Sequence, residues 1–321
     1  MNTRLSVLFL IILSLGSPRS FAQVTGKEDT STDNTDYLEK ILEKEINAAG
    51  SNSVYYTTAT FKSTRIINGQ SIENVGRGVL DFRISHRFGE LNEGVQNLYG
   101  LDNATTKFGF DYGLTDWLMI GIGRSSFEKE YDGFFKAKIL RQASNRRRPI
   151  SISYVGGMSV QTMSVVNIPG YTYYLSNRLF YFNQLLLARK FNKSFSLQLM
   201  PSYLHYNLVT NAGEPNDVLA MGAGGRMKVS NRIAITGEYY YVIPGHKLDG
   251  YNNSVSVGID IETGGHVFQL FLTNSSAVTE RTFIGETTGD ALKGHLHLGF
   301  NISRVFTVVK SREIVNIDKS W

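Results

Sequence analysis

The chain has 321 residues, 42% of them hydrophobic, no cysteine and a formal charge of +5; without the segment that carries Arg4 and Arg19 the balance is 31 basic against 28 acidic residues. The lack of cysteine excludes disulfide stapling, thiolate metal sites, covalent haem attachment and a lipid anchor on an N-terminal cysteine. So weak a charge bias excludes the basic stripe of a nucleic-acid-binding module, and a slightly negative mean hydropathy suits a barrel whose strands face lipid on one side and a polar interior on the other.

Residues 1–22 read as an export signal: Arg4 supplies the positive start, Val7 to Leu15 the apolar run, and Ser20-Phe21-Ala22 the cleavage site before Gln23. That run is too short to be kept as a membrane helix, and no other stretch reaches the roughly 18 to 20 consecutive apolar residues a spanning helix needs. Residues 23–34 are polar linker. Asp36 with Glu39 three residues on caps a short helix, whose stripe of Leu38, Ile41, Leu42 and Ile46 ends before Gly50. It either rests on the barrel end or meets a protein partner. Val54 to Asn68 is strand-like in composition but imperfectly alternating, and Asn68-Gly69 is a turn signal. This stretch is expected inside the barrel, along its lower rim, or as an extra strand, within a periplasmic extension spanning 23–75.

From Gly76 the pattern becomes regular. Leu80, Phe82, Ile84 and Phe88 form one face, and Asp81, Arg83, Ser85 and Arg87 a face too charged for a core. The stretch Lys107 to Gly123, KFGFDYGLTDWLMIGIG, makes the case most clearly. Phe108, Phe110, Tyr112 and Leu114 alternate with Lys107, Gly109, Asp111 and Gly113. Thr115-Asp116 then allows a reversal, and Leu118, Ile120 and Ile122 resume the apolar face. Tyr112 and Trp117 flank the turn, where aromatic rings suit a membrane interface. Further strands are expected at Thr106 to Leu114, Trp117 to Ser126, Phe134 to Arg141, Ile150 to Gln161, Arg178 to Phe191, Phe195 to Asn207, Val218 to Val229, Ile233 to Pro244, Ser254 to Glu262, His266 to Asn274 and Gly294 to Phe306. Within Arg178 to Phe191, the stretch Leu179 to Phe191 is apolar on both faces, so its register is open and a bulge is expected.

The connections test that count separately. Those at Thr115-Asp116, Asn192 to Ser194, Ser230 to Arg232 and Thr263 to Gly265 are short, and Gln142 to Pro149 is somewhat longer. The intervening ones are mostly long, so short and long alternate. Outer-membrane barrels place short turns in the periplasm and long loops outside, which puts both termini in the periplasm. The expected fold is therefore an all-β, antiparallel, up-and-down transmembrane barrel of about twelve strands over 76–306. A periplasmic tail follows over 307–321.

The segments TFKSTRIINGQSIE, GRGVLDFRISHRFG, YGLDNATTKFGFDYGLTDWLMIGIGRS and LHYNLV, spread between about Thr60 and Phe306, resemble an uncharacterised outer-membrane β-barrel family common in Bacteroidota. The resemblance implies a fold and a location; it brings no activity and no catalytic residue.

With apolar faces toward lipid, the lumen is expected to hold Asp81, Arg83, Arg87, Lys107, Asp111, Lys136, Lys138, Arg226, Lys228, Glu238, Asp260, Glu262, Gln269, His297 and Asn301. These line either a water-filled eyelet whose basic members favour anions, or an ion-pair network that fills a narrow barrel. His295 and His297 share a strand face but would need a third ligand to hold a metal. No histidine sits in a recognisable catalytic constellation, and the glycines of Gly121 to Gly123 and Gly222 to Gly225 lie in strands with no helix after them to cradle phosphate. Neither enzyme nor cofactor is expected. Arg146-Arg147-Arg148 meets water or anionic phosphates at the rim, and Tyr171, Tyr173 and Tyr174 belong to the outer aromatic girdle. The expected partners are outer-membrane lipid, the barrel-assembly machinery during insertion, a small solute, and a protein met through the loops or N-terminal helix. The leading functional expectation is a narrow pore or binding barrel for a small, anionic solute; the alternative is a closed barrel with a structural or assembly role.

Overall fold

The computed structural model describes residues 55–143, 148–163, 172, 174–209, 211 and 213–309. The export signal, the linker, the helix expected from Asp36, the residues Arg146, Arg147, Tyr171 and Tyr173, and the tail from 310 onward lie outside the described residues.

Twelve antiparallel strands, each paired with its neighbours in sequence, close into one barrel. They are β1 (Val79–Glu90), β2 (Ala104–Gly113), β3 (Leu118–Ser125), β4 (Glu130–Leu140), β5 (Ser151–Gln161), β6 (Leu179–Lys190), β7 (Phe195–Tyr206), β8 (Asp217–Lys228), β9 (Ile233–Val242), β10 (Ser254–Thr263), β11 (His266–Thr273) and β12 (His297–Thr307). The seam is β1 against β12, with Val79 opposite Thr307 and Ile84 opposite Ile302. Closure leaves no unpaired edge, which strands in hydrocarbon require.

Alternation assigns the two faces. Phe108 and Phe110 of β2, Ile120 and Ile122 of β3, Ile233 and Ile235 of β9, and Val257 and Ile259 of β10 are exposed on the outside, whereas Asp81, Arg87, Lys136, Glu238 and Asp260 are buried within. A soluble barrel would invert this arrangement; here the outer face is a band for lipid. The turn between β2 and β3 is closed by Leu114 N–H on the Leu118 carbonyl at 3.0 Å, with Trp117 exposed beside it.

Several expectations change. β4 begins at Glu130 rather than Phe134, because Glu130 and Asp132 extend the inward face and are fully or nearly fully buried. Its connection to β3 therefore shrinks to 126–129, which breaks the strict alternation of short and long loops. β6 carries no bulge: its register against β5 and β7 is uninterrupted, and Phe180, Phe182, Gln184, Leu186 and Ala188 all face inward. Its inner face is apolar because this third of the wall bounds an apolar cluster inside the barrel. Register shifts occur instead between Arg87 and Glu90, and between Lys138 and Leu140.

That inner cluster joins Phe182, Leu186, Met200 and Leu204 of the wall to Phe61, Ile66, Ile72 and Val75 of the segment before β1, and to Phe283 and Ile284 of the β11–β12 connection. Each fully buried large side chain contributes roughly 2 kcal/mol. The segment before β1 is thus neither an extra wall strand nor a rim strand. It comes in at the end bearing the short turns, where Thr57 N–H meets the Gln142 carbonyl at 2.8 Å, and leaves there, where Gly78 N–H meets the Gly113 carbonyl at 2.8 Å. Between these points residues 60–75 fold into a hairpin inside the lumen.

Candidate functional site: the occupied lumen

The hairpin turns at Ile66 to Gly69, one residue before the position of the Asn-Gly signal, with Ile66 N–H donating to the Gly69 carbonyl at 2.8 Å and Ser71 N–H to the Thr64 carbonyl at 3.0 Å. Gly69 is obligatory: a Cβ there would lie 2.1 Å from the Tyr240 hydroxyl oxygen. The wall holds the hairpin mainly by its backbone. The N–H groups of Ile67, Asn68 and Gly69 converge on the Glu238 carboxylate at 3.3, 2.8 and 3.0 Å. Lys136 Nζ donates to the carbonyls of Thr64 and Ser71 at 3.2 and 2.9 Å. Three wall amides donate to hairpin carbonyls: Gln198 to Gln70 at 2.7 Å, Gln269 to Ile66 at 2.6 Å and Asn301 to Ile67 at 2.9 Å.

Side chains complete the seat. Arg83 Nη2 donates to Ser63 Oγ at 3.0 Å, to Thr64 Oγ1 at 2.6 Å and to Asp81 at 2.9 Å. Asp111 accepts from Thr64 at 2.7 Å and pairs with Arg65 at 3.1 Å. Arg87 donates to Asn68 and to Asn301, its guanidinium 4.2 Å from the Phe271 ring centroid. Lys107 pairs with Asp132 at 2.9 Å, Arg226 with Glu262 at 3.0 Å, and Asp260 accepts from Gln269 at 2.9 Å. Lys138 and Lys228 lie half-buried at the short-turn end. So does Lys190, which donates to the Thr58 carbonyl at 3.0 Å. Lys62 pairs there with Glu262 at 2.9 Å.

His297 faces inward with Nδ1 on the Phe88 carbonyl at 2.9 Å, while His295 lies before β12 and pairs with Glu90 at 3.0 Å. They do not act as one pair, and among the described residues no cluster of three or more ligating side chains could hold a metal ion.

From the opposite end the connection after β11 turns inward. Ser275, Ala277 to Gly285 and Thr287 are buried, Glu280 accepts from Gln70 of the hairpin at 2.8 Å, and the two occupants meet. Arg281 is gripped by Glu128, Glu130 and Glu286, its guanidinium 4.4 Å from the Phe180 ring centroid. Burial, with Glu128 and Glu130 adding to it against the pull of Arg281, pushes the Glu286 carboxyl up to about 7. Sequence reading missed this group, because no periodicity marks a loop that folds inward. Glu130 and Asp132 were findable: Glu130-Tyr131-Asp132-Gly133 carries the inward polar period of β4 backward.

Geometry defines the class: a closed, lipid-facing β-barrel whose polar lumen is filled from both ends. The chain belongs to the family described as Membrane bound beta barrel domain (DUF5777), which matches residues 61–306 and so takes in most of the hairpin. No curated protein matches the sequence. Among solved structures, it is similar to the NanC porin at 9% identity, with a TM-score of 0.44 over 70% of this chain and 98% of that one. The KdgM porin gives 9% identity and a TM-score of 0.44 over 71% and 99%. The outer membrane protein Omp33 of Acinetobacter baumannii gives 8% and 0.38 over 71% and 97%. None of the three assigns this chain a solute.

Proposed function

We propose that this protein is an outer-membrane barrel, inserted by the barrel-assembly machinery with both termini in the periplasm, that passes or binds a small anionic solute and is narrowed by the 60–75 hairpin. The observation that carries the reading is the charge at the mouth where the hairpin comes in. Lys62, Lys138, Lys190 and Lys228 stand there against Glu73 and Glu262, and such a rim concentrates anions before a narrow passage. The wall behind it is polar enough to hold water once the hairpin leaves. The reading is non-enzymatic: the inward histidine, His297, has Nδ1 on a carbonyl rather than on a hydroxyl to be activated.

Occlusion from both ends favours a second reading, a permanently closed barrel that acts through its loops or N-terminal segment on a protein partner. Single-channel recording in planar bilayers separates the two. The first expects small, anion-preferring conductance from the full-length protein and a larger conductance after deletion of 55–75. Silence from both, in protein shown to be folded, would establish the second reading.

A further inference from the structure

Two voids follow one another along the inner face of β1. The outer, about 590 Å³, opens at the short-turn end and is bounded by Val79 and Asp81 of β1, Ser303 of β12 and Ser63 of the hairpin. The inner, about 20 Å³, is bounded by the next two inward positions, Arg83 and Ser85, with Lys107 and Asp111 of β2, Arg65 of the hairpin and Val278 of the inturned loop. At the border of the two voids Arg83 Nη2 bonds to Ser63, Thr64 and Asp81, all three of which line the outer void. Across the barrel the hairpin shares the apolar cluster with Phe182, Leu186 and Met200 of β6 and β7.

We infer that the solute path runs along β1, on the loosely filled side of the hairpin, and that Arg83 is its charge-selecting residue, admitting a monovalent inorganic anion. This rests on the pore reading above. Arg83 is 7% exposed, and its Nε and Nη1 have no protein acceptor, so two buried N–H donors face a chamber also bounded by Arg65 and Lys107. A buried donor left unmet is costly unless something visits it. A space of about 20 Å³ takes a single ion or water, not a sugar. The cationic head groups there are each paired, Arg83 with Asp81, Arg65 with Asp111 and Lys107 with Asp132, so selection falls to the two unmet Arg83 N–H donors, which an anion can accept from and a cation cannot. An anion would accept from Arg83 in place of the Ser63 and Thr64 hydroxyls, loosening the hairpin edge on β1 while Glu238 and Lys136 keep its backbone seated.

The chain has no cysteine, so single cysteines report unambiguously. Ser303, Ser85 and Ser202 are comparably buried, at 7%, 4% and 5%, the first two on the proposed path and the third on β7. In the full-length protein, Ser303→Cys and Ser85→Cys are expected to react with a negatively charged methanethiosulfonate and lose conductance, with Ser202→Cys reacting far more slowly. Arg83→Gln is expected to lower the anion-to-cation permeability ratio severalfold. If Ser202→Cys reacts as fast as Ser85→Cys in a full-length barrel, or Arg83→Gln leaves the ratio unchanged, the path is wrong while the pore reading stands. A protein that never conducts defeats both.

Discussion

The hairpin of 60–75 and the inturned loop of 274–287 fill the same lumen by opposite means. Wall side chains hold the hairpin by its backbone, with Glu238, Lys136, Gln198, Gln269 and Asn301 binding main-chain groups that almost any residue would supply. The polar anchor of the loop is a side chain, Arg281 among three carboxylates, while both elements share the apolar cluster, the hairpin through Phe61, Ile66, Ile72 and Val75 and the loop through Phe283 and Ile284. A backbone-held element comes free as a unit when a few wall groups let go. A side-chain-held one is fixed position by position. The contrast makes the hairpin the more readily removed of the two.

The sharpest way to break this comparison is Glu238→Ala, which strips the acceptor from three buried amides at once. Hairpin docking is expected to weaken by about 4.5 kcal/mol or more, since the three bonds to a charged group count for roughly 1.5 kcal/mol or more each. Hydrogen exchange at 66–71 would accelerate and tryptic cleavage after Arg65 would appear, while exchange in 274–287 stays as it was. If both elements loosened together, they would form one cooperative unit and the distinction would fall.

Next in size is a pH effect confined to the loop. Glu286 rises from an ordinary 4.5 to about 7, so its contribution to docking is full below about 4.5 and is lost as pH climbs through 7. The groups facing it are Arg281, Glu128 and Glu130. Protection of 274–287 is expected to fall between pH 5 and pH 8 by on the order of 3 kcal/mol at most, and Glu286→Gln to flatten the change. A flat profile in the unmodified protein would remove Glu286 from the account.

Lys136→Met leaves the Ser71 carbonyl without its Lys136 donor and the Thr64 carbonyl with only its bonds inside the hairpin, and is expected to weaken hairpin docking by about 2 kcal/mol, read from the same exchange experiment. Smallest is Lys293→Ala: its 3.2 Å pair with Asp290 is solvated, so no measurable change is expected in either element.

Much of the wall was legible because lipid on one side and polar lumen on the other impose period two on each strand. That rule placed Asp81, Arg83, Lys107, Asp111 and Glu238 on the inner face from sequence. It failed at β6, whose inner face packs on Phe61 and Ile72 and so resembles its outer face. It also failed inside the lumen. The hairpin is touched on all sides, so its residues obey no amphipathic period, and Val54 to Asn68 could be read only as strand-like. Arg281 and its three carboxylates come from the β3–β4 and β11–β12 regions, and nothing local in either announces the other.

Arg87 on β1 and Asn301 on β12 both bond to the hairpin tip, one at the Asn68 side chain and the other at the Ile67 carbonyl. The tip therefore spans the line along which the first and last strands meet. The Asn301 contact cannot form until β12 lies beside β1, so the tip is fully seated only when the cylinder closes. Seating the hairpin and zipping the cylinder are thereby coupled through the longest sequence separations in the molecule. The seam is fastened from inside, by a segment that is no part of the wall.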